Sequence, residues 1–336
     1  MSNKAASFCT DEARQVSTFN FSELGPDLIL DAIESVGIRA SSGLLALNSY
    51  ENRVYQFIAE DSKRYVAKFY RPQRWNQLQL LEEHSFSIEL AEYEVPIVPP
   101  LVINGQSLHL YQGYHFALFP SVGGRQFEVD NLDHVEWVGR FIGRIHAISS
   151  TRTFVHRRTL CIEEYLHQPV VELSTSVLIP DYLHKPFFTI LEQVVVRTAE
   201  RYESTNDIRL HGDCHSGNIL WRDGPTFVDL DDCRNGPAIQ YLWMMLSGDR
   251  MQQSLQMSTL IEAYEEFHQF DKRQLHLIEP LRAMRMVHYM AWLSKRWQDP
   301  AFPQAFPWFA EGKYWEQQIL SLKEQLSALN EPPLII

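Results

Sequence analysis

The spacing of apolar and polar residues changes character near residue 120. At 26–38, PDLILDAIESVGI repeats its apolar positions every three or four residues, which predicts a helix ending near Gly37. LLALNSYENRVYQFIAE and KRYVAKFYRP follow, rich in Val, Tyr and Phe, with the polar AEDSK between them. They predict an antiparallel hairpin. RWNQLQLLEEHSFSIELAEYE predicts a long amphipathic helix with its charges on one face, stopped by Pro96, Pro99 and Pro100. LVINGQSLHLYQGYHFALFPSVGG predicts two or three further strands, with Asn104-Gly105 as a tight hairpin turn.

Beyond PSVGGRQ (120–126) the helical period dominates, in LDHVEWVGRFIGRIHAI, in 181–204 and in LIEPLRAMRMVHYMAWLSKRW. No internal repeat and no low-complexity linker interrupts the chain. The pattern predicts an α+β protein of two lobes. Residues 1–20 form a polar N-terminal extension expected to fray, 21–120 a β-rich lobe with one long helix, and 121–336 a helical lobe.

Composition narrows the function classes. The chain has 336 residues, 45% of them hydrophobic and 21% charged, as in ordinary globular proteins. A net charge of −12 disfavours nonspecific binding to nucleic acid or anionic membrane. Cys9, Cys161, Cys214 and Cys233 form no C-x-x-C pair, which fits free thiols in a reducing cytoplasm. The N-terminus does not read as a signal peptide, and the most apolar stretch, VPIVPPLVI, is too short to span a bilayer.

The chemistry concentrates in IRLHGDCHSGNILWRDGPTFVDLDD at 208–232. A short strand leads into His211-Gly212-Asp213, and Asn218 follows on the far side of a loop. A small hairpin, turning at Arg-Asp-Gly-Pro, then returns Asp229 toward both. A lone Asp and Asn in a loop more often cap or turn the backbone. Here an Asp, an Asn five residues on and an Asp eleven residues beyond that recur at strand–loop–hairpin spacing. Phosphoryl transfer needs such a set: a carboxylate to orient the attacking hydroxyl, and an amide and a carboxylate to hold Mg²⁺ on the phosphates.

The motif H-G-D-x-H-x-x-N-[IL] followed by [IV]-D-x-[DE] resembles the signature of the aminoglycoside phosphotransferase and choline kinase superfamily, whose fold is bilobal and protein-kinase-like. That resemblance implies ATP and Mg²⁺ as cofactors, Asp213 as catalytic base, and Asn218 and Asp229 as metal ligands. It gives His211 a role in stabilising the loop and puts His215 near the base. Asp231 would approach a second metal position, while Asp232 reads as a surface or turn residue. Lys68 in YVAKFYRP fits the lysine that contacts the nucleotide phosphates, although a lysine there also suits an edge strand. Glu82 and Glu83 both qualify as its helix partner. Glu83, twelve residues before the Val95–Pro96 break, is preferred over a reading as solvated helix face.

Two departures stand out. No G-x-G-x-x-G occurs, and the matching turn is LNSYENRVYQF, where Ser49 and backbone N–H groups would have to cradle the phosphates. The adenine is expected beside FPSVGG, against the backbone of Pro120–Val122. Five residues after Gly236, where the family often has an Asp supporting the catalytic loop, this chain has Tyr241.

LNSYENRVYQF, VAKFYRP, FPSVGGRQFE, LHGDCHSGNILWRDGP, VDLDDCRNGPA and LIEPLRAMRMVHYMAWL, in that order, resemble the bacterial stress response kinase A family. This implies a cytoplasmic serine/threonine protein kinase acting on protein hydroxyls, its own included; a monomer is expected. The site chemistry alone equally suits a small-molecule kinase acting on an amino-alcohol, aminoglycoside or sugar. A catalytically dead ATP-binding regulator fits less well with a complete set of Lys68, Asp213, Asn218 and Asp229. The Met and aromatic stripe of MRMVHYMAWLSKRW reads as core rather than a substrate cage, and Cys214 as an inert packed thiol.

Overall fold

The computed structural model describes residues 20–203 and 206–336. Apart from Asn20, the expected N-terminal extension, with Cys9, lies outside the described residues. Strands β1 (Leu45–Ala46), β2 (Arg53–Ile58), β3 (Arg64–Phe69), β4 (His109–Tyr111) and β5 (Tyr114–Pro120) form one antiparallel sheet in the order β1-β2-β3-β5-β4. Period-two alternation divides the faces of β3. Ala67 and Phe69 join Phe57, Phe116 and Leu118 in a core closed by Ile29, Ala32 and Ile33 of α1 (Pro26–Ser35). Val66 and Lys68 point the other way, onto a cleft.

The predicted elements are present, with two differences. Asn104 and Gly105 do adopt left-handed backbone and form a tight turn, but one Ile103–Gln106 bridge closes it. The hairpin that belongs to the sheet turns at Gln112-Gly113, also left-handed. The long helix α2 (Gln77–Glu92) opens on an Asn76–Gln79 capping box, yet it has no single charged face. Leu80 packs on the sheet side with Tyr70 and Trp75, while Phe86 and Leu90 enter the helical core. A helix buried between two layers hides polar residues as well, and Glu83, His84 and Ser87 are all buried.

The remaining helices are α3 (Leu132–Ser149), α4 (Gln168–Ser174), α5 (Asp181–Arg201), α6 (Ile239–Trp243), α7 (Arg250–Tyr264), α8 (Ile278–Arg296), α9 (Ala301–Ala305) and α10 (Gly312–Ala328). Val135, Val138, Ile142 and Ile145 of α3 are fully buried, each worth about 1.5–3 kcal/mol. The α3–α7 approach is close enough that a Cβ on Gly139 would stand 2.6 Å from the Leu260 carbonyl. Short strands carry the motif stretch. β6 (Arg125–Gln126), β8 (Ile219–Trp221) and β9 (Pro225–Phe227) form one sheet, and β7 (Ile208–Leu210) pairs with β10 (Arg234–Gly236). The proline-rich segment after α2 crosses to this layer: Phe227 N–H donates to Pro96 O at 2.7 Å and Val98 N–H to Phe227 O at 3.2 Å.

Candidate active site

Two cavities meet at Asn48, Ser49 and Asp229. The first, about 360 Å³, lies under the sheet and is lined by Val54, Val66, Lys68, Glu83, Pro120, Val122, Asn218 and Asp229. The second, about 400 Å³, lies between the 48–52 loop and α8 and contains Asp213, His215, Arg285, Tyr289 and Trp292. Ser49, Lys68, Glu83, Pro120, Val122, Asp213, Asn218 and Asp229 therefore each border one cavity or the other.

Lys68 stands on β3, the central strand of its sheet, so its alternative as an edge-strand lysine does not apply. Its Nζ donates to Asp229 Oδ1 at 2.8 Å and lies 3.3 Å from Asp231 and 3.6 Å from Glu83. Burial pulls the Lys68 ammonium down, but Asp229, Asp231 and Glu83 outweigh it and hold it well above the usual lysine range. Of the two helix glutamates, Glu83 faces Lys68. Glu82 turns away and accepts the N–H groups of Val155, His156 and Arg157 at 2.6–2.8 Å.

The catalytic-type loop has its own internal order. Gly212 is left-handed at φ +87°, and a side chain there would collide with the Asp232 carbonyl, so only glycine fits between His211 and Asp213. His211 is buried; its Nε2 bonds the Val228 carbonyl at 2.8 Å, tying the loop to the strand that delivers Asp229. Tyr241 packs edge-on to His211 at 5.9 Å, so an aromatic ring fills the place expected of a supporting Asp. Asn218 Nδ2 donates to the Asp213 carbonyl at 2.9 Å, which leaves Asn218 Oδ1 as its oxygen donor. Asp229 is left-handed at φ 63°, a conformation costly for a non-glycine residue, and its side chain is half exposed to the cavities.

Asp213 Oδ1 accepts from Arg285 Nη1 at 2.5 Å, and Oδ2 lies 3.5 Å from His215 Nε2. Burial pushes the Asp213 carboxyl up, but His215 and Arg285 outweigh it and hold it well below the usual carboxylate range. Cys214 is buried and its thiol is pushed well up by that burial and by Asp213, which keeps it protonated and unreactive.

Two further carboxylates are engaged by cations. Asp231 is buried, 3.3 Å from Lys68 Nζ and bonded to Arg74, and it also borders the second cavity. Asp232 is no mere turn residue, since Arg74 bonds it at 2.6 Å and Arg234 at 3.3 Å. The stripe on α8 also divides. Val287 and Met290 are core, Met284 is buried at the cavity wall, and Arg285, His288, Tyr289 and Trp292 line the second cavity.

Sequence reasoning missed a set of arginines. Arg157, with no exposed side-chain surface, donates to Glu83 at 2.6 Å and to the Asp231 carbonyl at 2.6 Å, and stacks over Trp75 at 4.2 Å. Arg74 and Arg285 act likewise on Asp231, Asp232 and Asp213. Their partners are 72 to 158 residues away in the chain, so no local pattern marks them.

Among the described residues, no three His, Cys, Asp or Glu side chains gather to hold a metal. A divalent ion held by Asn218 and Asp229 would take its remaining ligands from phosphate and water, as Mg²⁺ does with hard oxygen donors. The residues present fit that ion.

Residues 44–278 match the model of the phosphotransferase enzyme family. Stress response kinase A of Escherichia coli K12 is 54% identical over 319 residues, covering 95% of this chain and 97% of that protein. The serine/threonine protein kinase RdoA of Salmonella typhimurium LT2 is 52% identical over the same spans. Among solved structures, a microcompartment-associated aminopropanol kinase superposes with a TM-score of 0.68 at 16% identity, covering 89% of this chain and 97% of that one. Amicoumacin kinase hAmiN, in complex with AMP-PNP, Ca²⁺ and Ami, superposes with a TM-score of 0.67 at 17% identity, covering 87% of this chain and 89% of that one. At such identities these two speak to the fold, which is the bilobal α+β fold of aminoglycoside phosphotransferases and choline kinases. Taken with the motif geometry, the family match and the near relatives mean that this chain belongs to the phosphotransferase enzyme family, in its stress response kinase A branch.

Proposed function

We propose that the protein is an ATP- and Mg²⁺-dependent serine/threonine protein kinase, transferring a phosphoryl group to protein hydroxyls in the cytoplasm, as a monomer. The observation that carries the phosphoryl-transfer site is the meeting of the two cavities at Asp229, with Lys68 on one side and Asp213 on the other. When bound, Mg²⁺–ATP supplies the phosphoryl group and the divalent charge that offsets its phosphates. Lys68, fixed by Glu83, would contact those phosphates, and Asn218 and Asp229 would hold the metal. Ser49 closes the cavity above, and the Pro120–Val122 backbone borders the adenine end. The cleft would then lie between a lobe at 21–120 and one at 121–336.

Asp213 would accept the hydrogen bond of the acceptor hydroxyl and orient it. A carboxylate held this far below its usual range is a weak base, which suits a loose transition state in which proton transfer comes late. Protein acceptors are supported by the relative named a serine/threonine protein kinase. They are also supported by Arg285, a guanidinium standing at the base where an amine-bearing alcohol would meet repulsion. A second reading, transfer to a small alcohol, draws on the structural neighbours named for amicoumacin and aminopropanol. Incubation with labelled ATP and Mg²⁺, alone and with a generic protein, an aminopropanol and a sugar panel, separates the two. The proposal expects label on protein Ser or Thr; turnover of an alcohol with no labelled protein would replace it by the second reading.

A further inference from the structure

The loop 49–52 contains no glycine, yet it stands where a phosphate-covering loop must come close to its ligand. It is held from the helical side by charge. Glu51 accepts from Trp292 Nε1 at 2.6 Å and from Arg296 at 2.7 and 3.2 Å, both on α8. Asp299, just past α8, takes Arg53 of β2 at 2.9 and 3.0 Å and Arg71, just past β3, at 2.8 Å. Those two arginines in turn bond the carbonyls of Tyr50, Glu51 and Asn52 at 2.8–3.3 Å. Tyr50 packs edge-on to Phe306 at 4.7 Å.

We infer that Trp292, Arg296 and Asp299 are positioning residues that hold loop 49–52 closed over the nucleotide phosphates, so that the helical part of the molecule sets the loop's position. This rests on the ATP site proposed above. The physical case is one of compensation. A glycine-rich loop reaches phosphate through its own backbone freedom. A loop without glycine must be placed by its surroundings, and with its carbonyls occupied it can offer its N–H groups to an anion. Glu51 and Asp299 are mostly buried, at 12% and 16% exposure, so salt screens their pairs less than it screens surface pairs. Burial pushes the Glu51 carboxyl up, but Arg74, Arg296 and Arg71 outweigh it and keep it charged. The same helix carries Arg285 over Asp213, so one element grips both the loop and the acceptor side.

Hydrogen exchange of the 48–53 amides in nucleotide-free protein gives a readout independent of activity. In Arg296→Gln and Asp299→Asn the loop should exchange about 10-fold faster, and KM for ATP should rise about 10-fold with kcat at saturation little changed, because the binding-competent fraction falls. Arg296→Lys should restore part of both effects. Trp292→Phe, which keeps the ring and removes only the N–H donor, should show a smaller effect of the same kind should the charge variants fold poorly. Loop exchange and KM for ATP at wild-type values in Asp299→Asn and Arg296→Gln, or in Trp292→Phe where those do not fold, would overturn the inference. Failure of wild-type protein to bind Mg²⁺–ATP by calorimetry would instead remove the ATP site itself, while loop exchange would still decide whether the latch exists.

Discussion

Arg285 Nη1 and Asp213 Oδ1 stand 2.5 Å apart, a charge-assisted bond between α8 and the loop that carries the proposed base. An acceptor hydroxyl must reach the same carboxylate, so Arg285 shares the space in which the acceptor is read. Arg285→Gln should leave Mg²⁺–ATP binding unchanged. It should also shift acceptor preference toward lysine-flanked peptides and amine-bearing alcohols by about 10-fold in kcat/KM, the scale on which like-charge repulsion discriminates. Competition between acidic- and lysine-flanked peptides measures it, and an unchanged ratio would remove Arg285 from acceptor selection.

The nucleotide side divides differently. Mg²⁺–ATP at about 100 times its dissociation constant should stabilise the fold by roughly 2.7 kcal/mol. Lys68→Ala should weaken both binding and rate, since it removes the cation that Asp229 and Glu83 surround. Asp229→Asn should lose mainly the Mg²⁺-dependent part of binding. Melting curves with nucleotide, with and without Mg²⁺, test all three.

Arg157 is a structural keystone of the same cluster. Its removal leaves Glu83 and the Asp231 carbonyl buried with their donor gone. Arg157→Leu should cost about 3–5 kcal/mol by urea unfolding, the range for breaking a buried pair from one side. A loss under about 1 kcal/mol, the scale of an exposed pair, would mean that solvent or a neighbour replaces it.

Buried imidazoles contribute to the response to acid, with His84, His146 and His288 among them. Burial lowers His84 to about 3, His146 to about 3 and His288 to about 4. Each binds a proton in the unfolded chain below about 6.5 and stays neutral in the fold. The stability they confer is therefore full above that value and falls as pH drops toward 4, by roughly 1.4 kcal/mol per pH unit for each. Urea midpoints at pH 7, 6 and 5 should fall steeply, and His146→Phe should flatten the slope.

What the sequence disclosed was local. The hairpin over Lys68, the His211–Asp213 loop and the strand pair bringing Asp229 back all lie within stretches where turn chemistry and alternation act over a few residues. Hidden were contacts made by tertiary packing. The burial of Glu83 needed α2 to lie between two cores, which no one-faced pattern announces. Arg157, Arg285 and Arg296 look like surface charges in sequence, and the carboxylates that pair with them arrive from far along the chain. The motif singled out Asn218 and Asp229 as candidate metal ligands; only the fold showed Asp231 and Asp232 paired with arginines.

The central claim is that Asp213 orients a protein hydroxyl for transfer from ATP. Mass spectrometry of the protein after incubation with Mg²⁺–ATP, beside Asp213→Asn treated identically, tests it most directly. Phosphoserine or phosphothreonine is expected on protein incubated as wild type, with a rate about 10²–10⁴-fold lower in Asp213→Asn although nucleotide still binds. Equal phosphorylation by Asp213→Asn would contradict the assignment of the base, and its absence from wild-type protein that turns over a small alcohol would contradict the protein acceptor.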